Sequence, residues 1–132
     1  MVALTAGRNT PRRENDDVEG HPVQNGAVIF QGALVCLNAA GSAVPGTTAV
    51  GLVALGRAEE AVVGDGVRTV RTRRGTLRFA NSAAGDAITR AEIGDQAFVV
   101  DDQTVAKTNG GGTRSLAGII RDVDAQGVWV LI

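Results

Sequence analysis

The sequence predicts a mainly β fold: a small single-domain β-sandwich or barrel with one short helix and an extended N-terminal arm. Three observations carry this reading. Gly, Ala, Val and Thr make up about half of the 132 residues; Val and Thr favour strands, and Gly punctuates them. Turn signals recur roughly every 8–12 residues, the spacing of an all-β domain. Residues 1–24 differ in composition from everything that follows.

That first segment, residues 1–24, gathers Arg8, Arg12, Arg13, Glu14, Asp16, Asp17 and Glu19, and holds Pro11 and Pro22. Proline removes a backbone donor and disfavours regular structure. Val2, Ala3 and Leu4 form an apolar tip ahead of this charged stem. Fully extended, such an arm reaches ~80 Å, far beyond the ~14 Å radius of gyration of the remainder. It either dangles as a plain disordered terminus or lies along another protein. It has no apolar run of signal-peptide type.

The β-rich domain is expected over residues 25–132. Residues 27–30 and 33–37 read as two strands around the tight turn Gln31-Gly32. A loop over 38–47 turns at Pro45-Gly46. Residues 48–55 read as a strand, and 57–61 carry no strand pattern. Residues 67–72 and 76–79 read as a hairpin across Arg73-Arg74-Gly75. Residues 87–93 are the helix candidate, with Asp86 as N-cap and Gly94 as stop. Residues 97–100, 105–107, 116–121 and 128–132 complete the strands, the last two joined through 122–127. In the last strand, Val128, Trp129, Val130, Leu131 and Ile132 are apolar on both faces, whereas a strand with one wet face alternates. Both faces need cover, from the domain's own core or from an oligomer interface. A core of such small side chains also points to stabilisation by neighbouring subunits.

Composition excludes several function classes. Net charge is -1, so the chain as a whole is not built to wrap nucleic acid or an anionic membrane. No stretch approaches the ~20 apolar residues of a membrane-spanning helix. One Cys and one His rule out an intrachain disulfide and Cys/His zinc clusters. Lys107-Thr108 follows Ala106 where a P-loop requires Gly, and Gly64-Asp65-Gly66 leads into a strand where a dinucleotide fingerprint requires a helix. Residues 122–127 imitate the start of a calcium loop, but Gln126 stands in a ligand position, and a hairpin turn explains them better. His21 lies in the arm, where nothing is expected to orient it for a triad. Cys36 sits in an apolar strand and reads as a core residue, not a nucleophile. No catalytic residue, metal ligand or cofactor-binding residue is therefore assigned, and no enzyme is expected.

Arg68, Arg71, Arg73, Arg74 and Arg78 form one basic patch. Without interleaved aromatics, base stacking is not favoured. A charged hairpin that guards a sheet edge, or that pairs with carboxylates across an interface, fits better. Every basic residue except Lys107 is Arg, a bias that suits fork-like carboxylate pairing and that GC-rich codon usage also produces.

A pattern in the chain carries a resemblance. Asn81-Ser82-Ala83-Ala84-Gly85-Asp86 leads into Ala91-Glu92-Ile93-Gly94 and then Ala97-Phe98-Val99-Val100-Asp101-Asp102-Gln103-Thr104-Val105-Ala106. Ala117-Gly118-Ile119-Ile120 and Val123-Asp124-Ala125-Gln126-Gly127-Val128-Trp129-Val130 follow. Gly32-Ala33-Leu34-Val35 and Val50-Gly51-Leu52-Val53-Ala54 fit the same template upstream. Over about residues 25–132 the chain resembles the capsid cement, or head decoration, proteins of tailed bacteriophages. Some relatives carry a recombinase label, which the missing P-loop argues against. The resemblance implies a β-tulip-like domain on the outer surface of a virion capsid, made in the bacterial host cytoplasm. It implies binding between major capsid protein subunits, as a homotrimer or, second, a dimer, with no direct nucleic acid or membrane partner. The capsid contact is expected from Val2, Ala3, Leu4, Arg8, Arg12 and Arg13, and the oligomer interface from Val128, Trp129, Val130, Leu131 and Ile132. A minor tail or fibre-associated component of a phage is the alternative.

Overall fold

The computed structural model describes residues 2–14 and 16–132. Met1 and Asn15, both within the expected arm, lie outside the described residues. The fold is mainly β, with twelve strands in chain order among the described residues. They are β1 (Val18–Pro22), β2 (Val28–Ile29), β3 (Leu34–Leu37), β4 (Ala43–Pro45), β5 (Val53–Ala58), β6 (Val62–Val63), β7 (Thr69–Arg73), β8 (Thr76–Asn81), β9 (Gln96–Val99), β10 (Thr104–Ala106), β11 (Leu116–Asp124) and β12 (Gly127–Leu131). Strands β8 to β12 close a five-stranded barrel in the order β10-β8-β12-β11-β9. An open sheet, β1-β7-β5-β3-β4, packs beside it, and β2 pairs with β6. No helix is long and apolar enough to cross a membrane among the described residues.

The barrel is filled from alternate positions of its strands. Leu77 and Phe79 of β8, Ala97 and Val99 of β9, Val105 of β10, Ile120 of β11, and Val128 and Val130 of β12 share one core. The period of two along a strand sends these side chains inward. A second core under the open sheet joins Val23, Ile29, Val35, Leu55, Val62 and Val70. Strand β3 belongs to both cores. Leu34 and Cys36 face the barrel cluster, Val35 faces the other, and all three are fully buried.

Several expectations are corrected here. Residues 18–24 do not belong to the arm. Val18–Pro22 pairs antiparallel with β7 over five residues, Val23 is fully buried, and Gln24 N–H donates to Ala43 O. Pro22 is tolerated because β1 is an edge strand, and the charges nearby pair across the sheet. The folded domain thus begins at Val18, and residues 2–14 are exposed without strand or helix.

Residues 67–72 and 76–79 do not form a hairpin. At Arg74-Gly75 the chain leaves the open sheet, where β7 pairs with β1 and β5, and enters the barrel, where β8 pairs with β10 and β12. Strands β2 and β3 likewise find separate partners, β6 for one and β4 and β5 for the other. The strand expected over 48–55 runs instead over Val53–Ala58. Helical structure near 87–93 takes the form of two short 3-10 turns, Ala84–Asp86 and Arg90–Glu92. Asn81 explains the break: its side chain bonds both the N–H and the C=O of Ile88 and holds that residue, 2% exposed, against the barrel. Thr89, not Asp86, caps the second turn, in a reciprocal box with Glu92. The C-terminal hairpin, β11 with β12, forms as expected, with a register shift between Ile120 and Asp122.

Backbone approach in the barrel is close enough to exclude a side chain at Gly118. A Cβ there would lie 2.2 Å from the carbonyl oxygen of Leu131. Gly118→Ala should cost about 1–3 kcal/mol, as overpacking does. Gly85→Ala meets open space at an ordinary backbone conformation and should stay within about 0.5 kcal/mol. Urea midpoints of the two variants test this; equal midpoints would show that the barrel yields at Gly118.

Candidate interaction surfaces

The charged residues of β1 and β7 form a ladder that the open sheet assembles from distant segments. The Arg74 guanidinium donates to Glu19 at 2.9 Å, and Arg73 donates to Asp17 at 2.6 Å and to Glu59 at 3.3 Å. Arg57 donates to the same Glu59 oxygen at 2.9 Å, and Arg71 forks onto Glu60. The antiparallel register Val18↔Arg73 to Pro22↔Thr69 brings these groups together. Arg71, Arg73 and Arg74 of the basic patch thus pair with carboxylates of the domain itself and not with carboxylates across an interface. Arg78 behaves differently: it lies over the Trp129 ring at 5.6 Å and donates to Gln126 at 2.6 Å.

His21 is also held, contrary to expectation, because it is part of β1 and its Nε2 meets Glu19 at 2.9 Å. Among the described residues its side-chain hydrogen-bond partner is this carboxylate and not a nucleophile. Cys36 lies in the core, and burial pushes its thiol up to about 12. At Asp122 to Gly127, Asp124 accepts from the N–H groups of Gln126 and Gly127 and from the Trp129 indole at 3.0 Å. Its carboxylate closes a hairpin turn. Among the described residues, no group of three or more His, Cys, Asp or Glu could hold a metal ion. Asp86 accepts from the Thr108 hydroxyl and pairs with the half-buried Arg114, which also donates to the Thr108 carbonyl at 3.0 Å. This cluster pins the Gly110 to Gly112 loop; sequence reasoning misses it because its members are 22 and 28 residues from Asp86.

The expected oligomer strand divides into two faces. Val128 and Val130 are fully buried inside the barrel and cannot contact another subunit. Trp129, Leu131 and Ile132 face outward or lie at the rim; Leu131 is 40% exposed. Leu131 and Ile132 join Leu52, Val53, Ala54 and Leu116 around a hollow of about 350 Å³, with Arg74 at its rim. Val53 is 57% and Leu116 44% exposed. This aliphatic hollow brings together strands β5, β11 and β12, and no single stretch of sequence announces it. Two other hollows are more polar: one beside Phe30, Asp102 and Gln103, the other beside Arg57, Thr76, Arg78 and Trp129.

The expected capsid-contact residues Val2, Ala3, Leu4, Arg8, Arg12 and Arg13 are all exposed. Among the described residues, none of these three arginines forms an ion pair, in contrast to Arg57, Arg71, Arg73, Arg74, Arg90 and Arg114. Compared with protein-family models, curated proteins and solved structures, the chain matches none.

The ladder gives the fold a defined response to acid. Donation from Arg74, then His21, holds the Glu19 carboxyl below its ordinary value; Arg57 does the same for Glu59 and Arg71 for Glu60. A carboxyl with a lowered value in the fold contributes stability at neutral pH, which is lost as pH falls through the folded-state value. The urea midpoint should therefore hold from pH 8 to 6 and fall once pH drops below the ordinary Glu value of 4.5. A midpoint unchanged at pH 3 would mean the ladder contributes nothing.

Proposed function

We propose that this protein is a structural component of a tailed-bacteriophage virion, a non-enzymatic cement or decoration protein on the outer surface of the capsid. It bridges major capsid protein subunits, binds neither nucleic acid nor membrane directly, and needs no cofactor. The observation that carries the reading is the resemblance over about residues 25–132, whose matching segments are turn and strand residues. The charge distribution supports it. Cations of the domain are largely used up in internal pairs, while Arg8, Arg12 and Arg13 stand on an exposed arm outside the fold. A lattice of capsid carboxylates is a partner such an arm suits. Arginine makes forked contacts there that a compact ammonium does not. Ordering the arm costs ~1–2 kcal/mol per residue in backbone entropy, so it orders only where many contacts form at once. Subunits act as a homotrimer, with a dimer second, because local three-fold positions of a lattice favour that symmetry.

A protein that binds only the assembled lattice stabilises it by mass action, ~2.7 kcal/mol per site at a hundredfold excess over Kd. Expanded heads lacking the protein should therefore break, or release DNA, at lower temperature than decorated heads. Equal thermal stability of the two would count against a cement role. Density on the tail of the imaged particle would favour the minor tail or fibre alternative.

The arm can be tested separately. The triple variant Arg8→Glu, Arg12→Glu, Arg13→Glu should fold with unchanged stability, since surface changes usually stay within about 0.5 kcal/mol. It should decorate heads far more weakly. Decoration as tight as that of the unaltered protein would move the lattice contact onto the β-domain.

A further inference from the structure

We propose that the loop over 108–113 converts its own Asn109: the backbone nitrogen of Gly110 attacks the Asn109 side-chain amide, ammonia leaves, and the succinimide so formed hydrolyses to an aspartyl or isoaspartyl residue at position 109. The chain has two Asn-Gly steps, Asn25-Gly26 and Asn109-Gly110. Glycine has no Cβ to hold its nitrogen away from the preceding side chain, so both steps can cyclise on sequence alone. Their surroundings in the fold set them apart. Gly26 N–H donates to Gly64 O at 2.9 Å, and Gly64 N–H returns to Ala27 O at 2.8 Å. That nitrogen is held in a backbone ladder, with its proton committed to a carbonyl. Among the described residues, Gly110 N–H meets only the Thr108 hydroxyl, at 3.4 Å, and residues 108–113 are exposed.

The loop supplies a group for each stage of the ring closure. The nitrogen must lose its proton. Thr108 Oγ1 faces the Gly110 N–H while its own hydrogen is donated to Asp86 Oδ1 at 2.5 Å, so the hydroxyl is set as an acceptor. A hydroxyl oxygen has two lone pairs, and the second takes the Arg114 guanidinium at 3.5 Å. As the proton leaves, negative charge grows on the oxygen of the same peptide group, Asn109 O. The N–H groups of Gly112, Thr113 and Arg114 already donate to that oxygen at 3.2, 2.9 and 3.1 Å. Donors aimed in advance at a developing charge are a main source of rate enhancement in acyl transfer. The electrophile is polarised as well, because Gly112 N–H also reaches Asn109 Oδ1 at 3.2 Å. Positive φ at Gly110, Gly111 and Gly112, 65°, 73° and 90°, lets the chain turn these donors inward. The new N–Cγ bond replaces the bond from Cγ to the amide nitrogen, and the proton lost by Gly110 is balanced by the one that leaves with ammonia. Water then opens the ring at the side-chain carbonyl, giving aspartyl, or at the main-chain carbonyl, giving isoaspartyl. Either product puts a carboxylate in the loop that Arg114 holds, and the isoaspartyl form lengthens the main chain by one carbon and releases the turn. The surface thus changes charge with age and without a partner. The inference is independent of the capsid reading and can fail without it.

The test follows the full chain by peptide-mapping mass spectrometry during prolonged warm incubation at pH 8, beside a sample kept unfolded in concentrated urea. In urea both steps are free, and Asn25 and Asn109 should convert at similar rates. In the folded protein Asn109 should convert at least about tenfold faster than Asn25, and faster than it does itself in urea; about tenfold is the rate equivalent of one such hydrogen bond. Thr108→Val, with its fold checked by circular dichroism, should slow Asn109 several-fold and leave Asn25 unchanged. Thr108→Ser keeps the acceptor oxygen and should keep the unaltered rate. Equal rates at the two steps in the folded protein, or an Asn109 rate below that in urea, would overturn the proposal. So would a folded Thr108→Val variant that converts at the full rate. The comparison with urea uses only the unaltered chain, so it decides the matter even where Thr108→Val disturbs the loop.

Discussion

Strand β3 is the piece on which the rest of the molecule depends. Ala33-Leu34-Val35-Cys36-Leu37 offers an apolar side chain at every position, and the chain buries both sets. Leu34 and Cys36 complete the barrel core while Val35 completes the core under the open sheet. Full burial of a side chain such as Leu or Val is worth roughly 1.5–3 kcal/mol, and here each contribution belongs to a different half. Backbone bonds reinforce the seam: Leu34 N–H donates to Asp102 O at 2.7 Å, and Gly46 N–H donates to Leu34 O at 2.8 Å. Ser115 adds a second stitch, accepting from Leu52 N–H and donating to Ala49 O. Barrel and sheet therefore make one domain and not two.

The one thiol is spent on the seam, and the one imidazole is spent on the charged edge strand. The acidic residues of β1 and the segment after β5 are taken up by arginines of β5, β7 and Arg74. Among the described residues, the arm keeps its own cations and apolar tip exposed, and a concavity of aliphatic side chains stays open.

Legibility in the sequence followed the distance between partners. The β11–β12 hairpin is readable because its turn is local and Asp124 and Gly127 supply the turn chemistry. The inward role of Leu77 and Phe79 follows from alternation alone, with Thr76, Arg78 and Ala80 exposed between and beside them. Strand β1 is not readable, because Glu19, His21 and Pro22 resemble a disordered stem until Arg73 and Arg74 are placed opposite them. Arg73-Arg74-Gly75 imitates a hairpin turn, yet it carries the chain between two sheets, a choice made by tertiary pairing. The apolar run from Val128 to Ile132 suggests a strand buried on both sides, but Trp129 packs outside under Arg78; the true case, β3, carries the same signal. The hollow is illegible as a whole, since its walls come from β5, β11 and β12. Of its lining, only Leu131 and Ile132 stand out in the sequence, and for a different reason.

The barrel's closure has a kinetic consequence. Strand β8 pairs antiparallel with β12, matching Thr76 to Leu131, and parallel with β10, matching Ala80 to Thr104. Neither pairing can form by a short turn, and each must close a long loop before any side chain is buried. Proteins dominated by such non-local pairings fold on the ms–s scale, well behind helical bundles of equal size. The local hairpins β3–β4, β9–β10 and β11–β12 can form early, but none has a complete core until β8 enters between β10 and β12. Closure thus waits on non-local pairings, those of β8 with β10 and β12 and that of β9 with β11, and unfolding must part a strand from two neighbours at once. A slow exit of this kind lengthens the lifetime of the folded state.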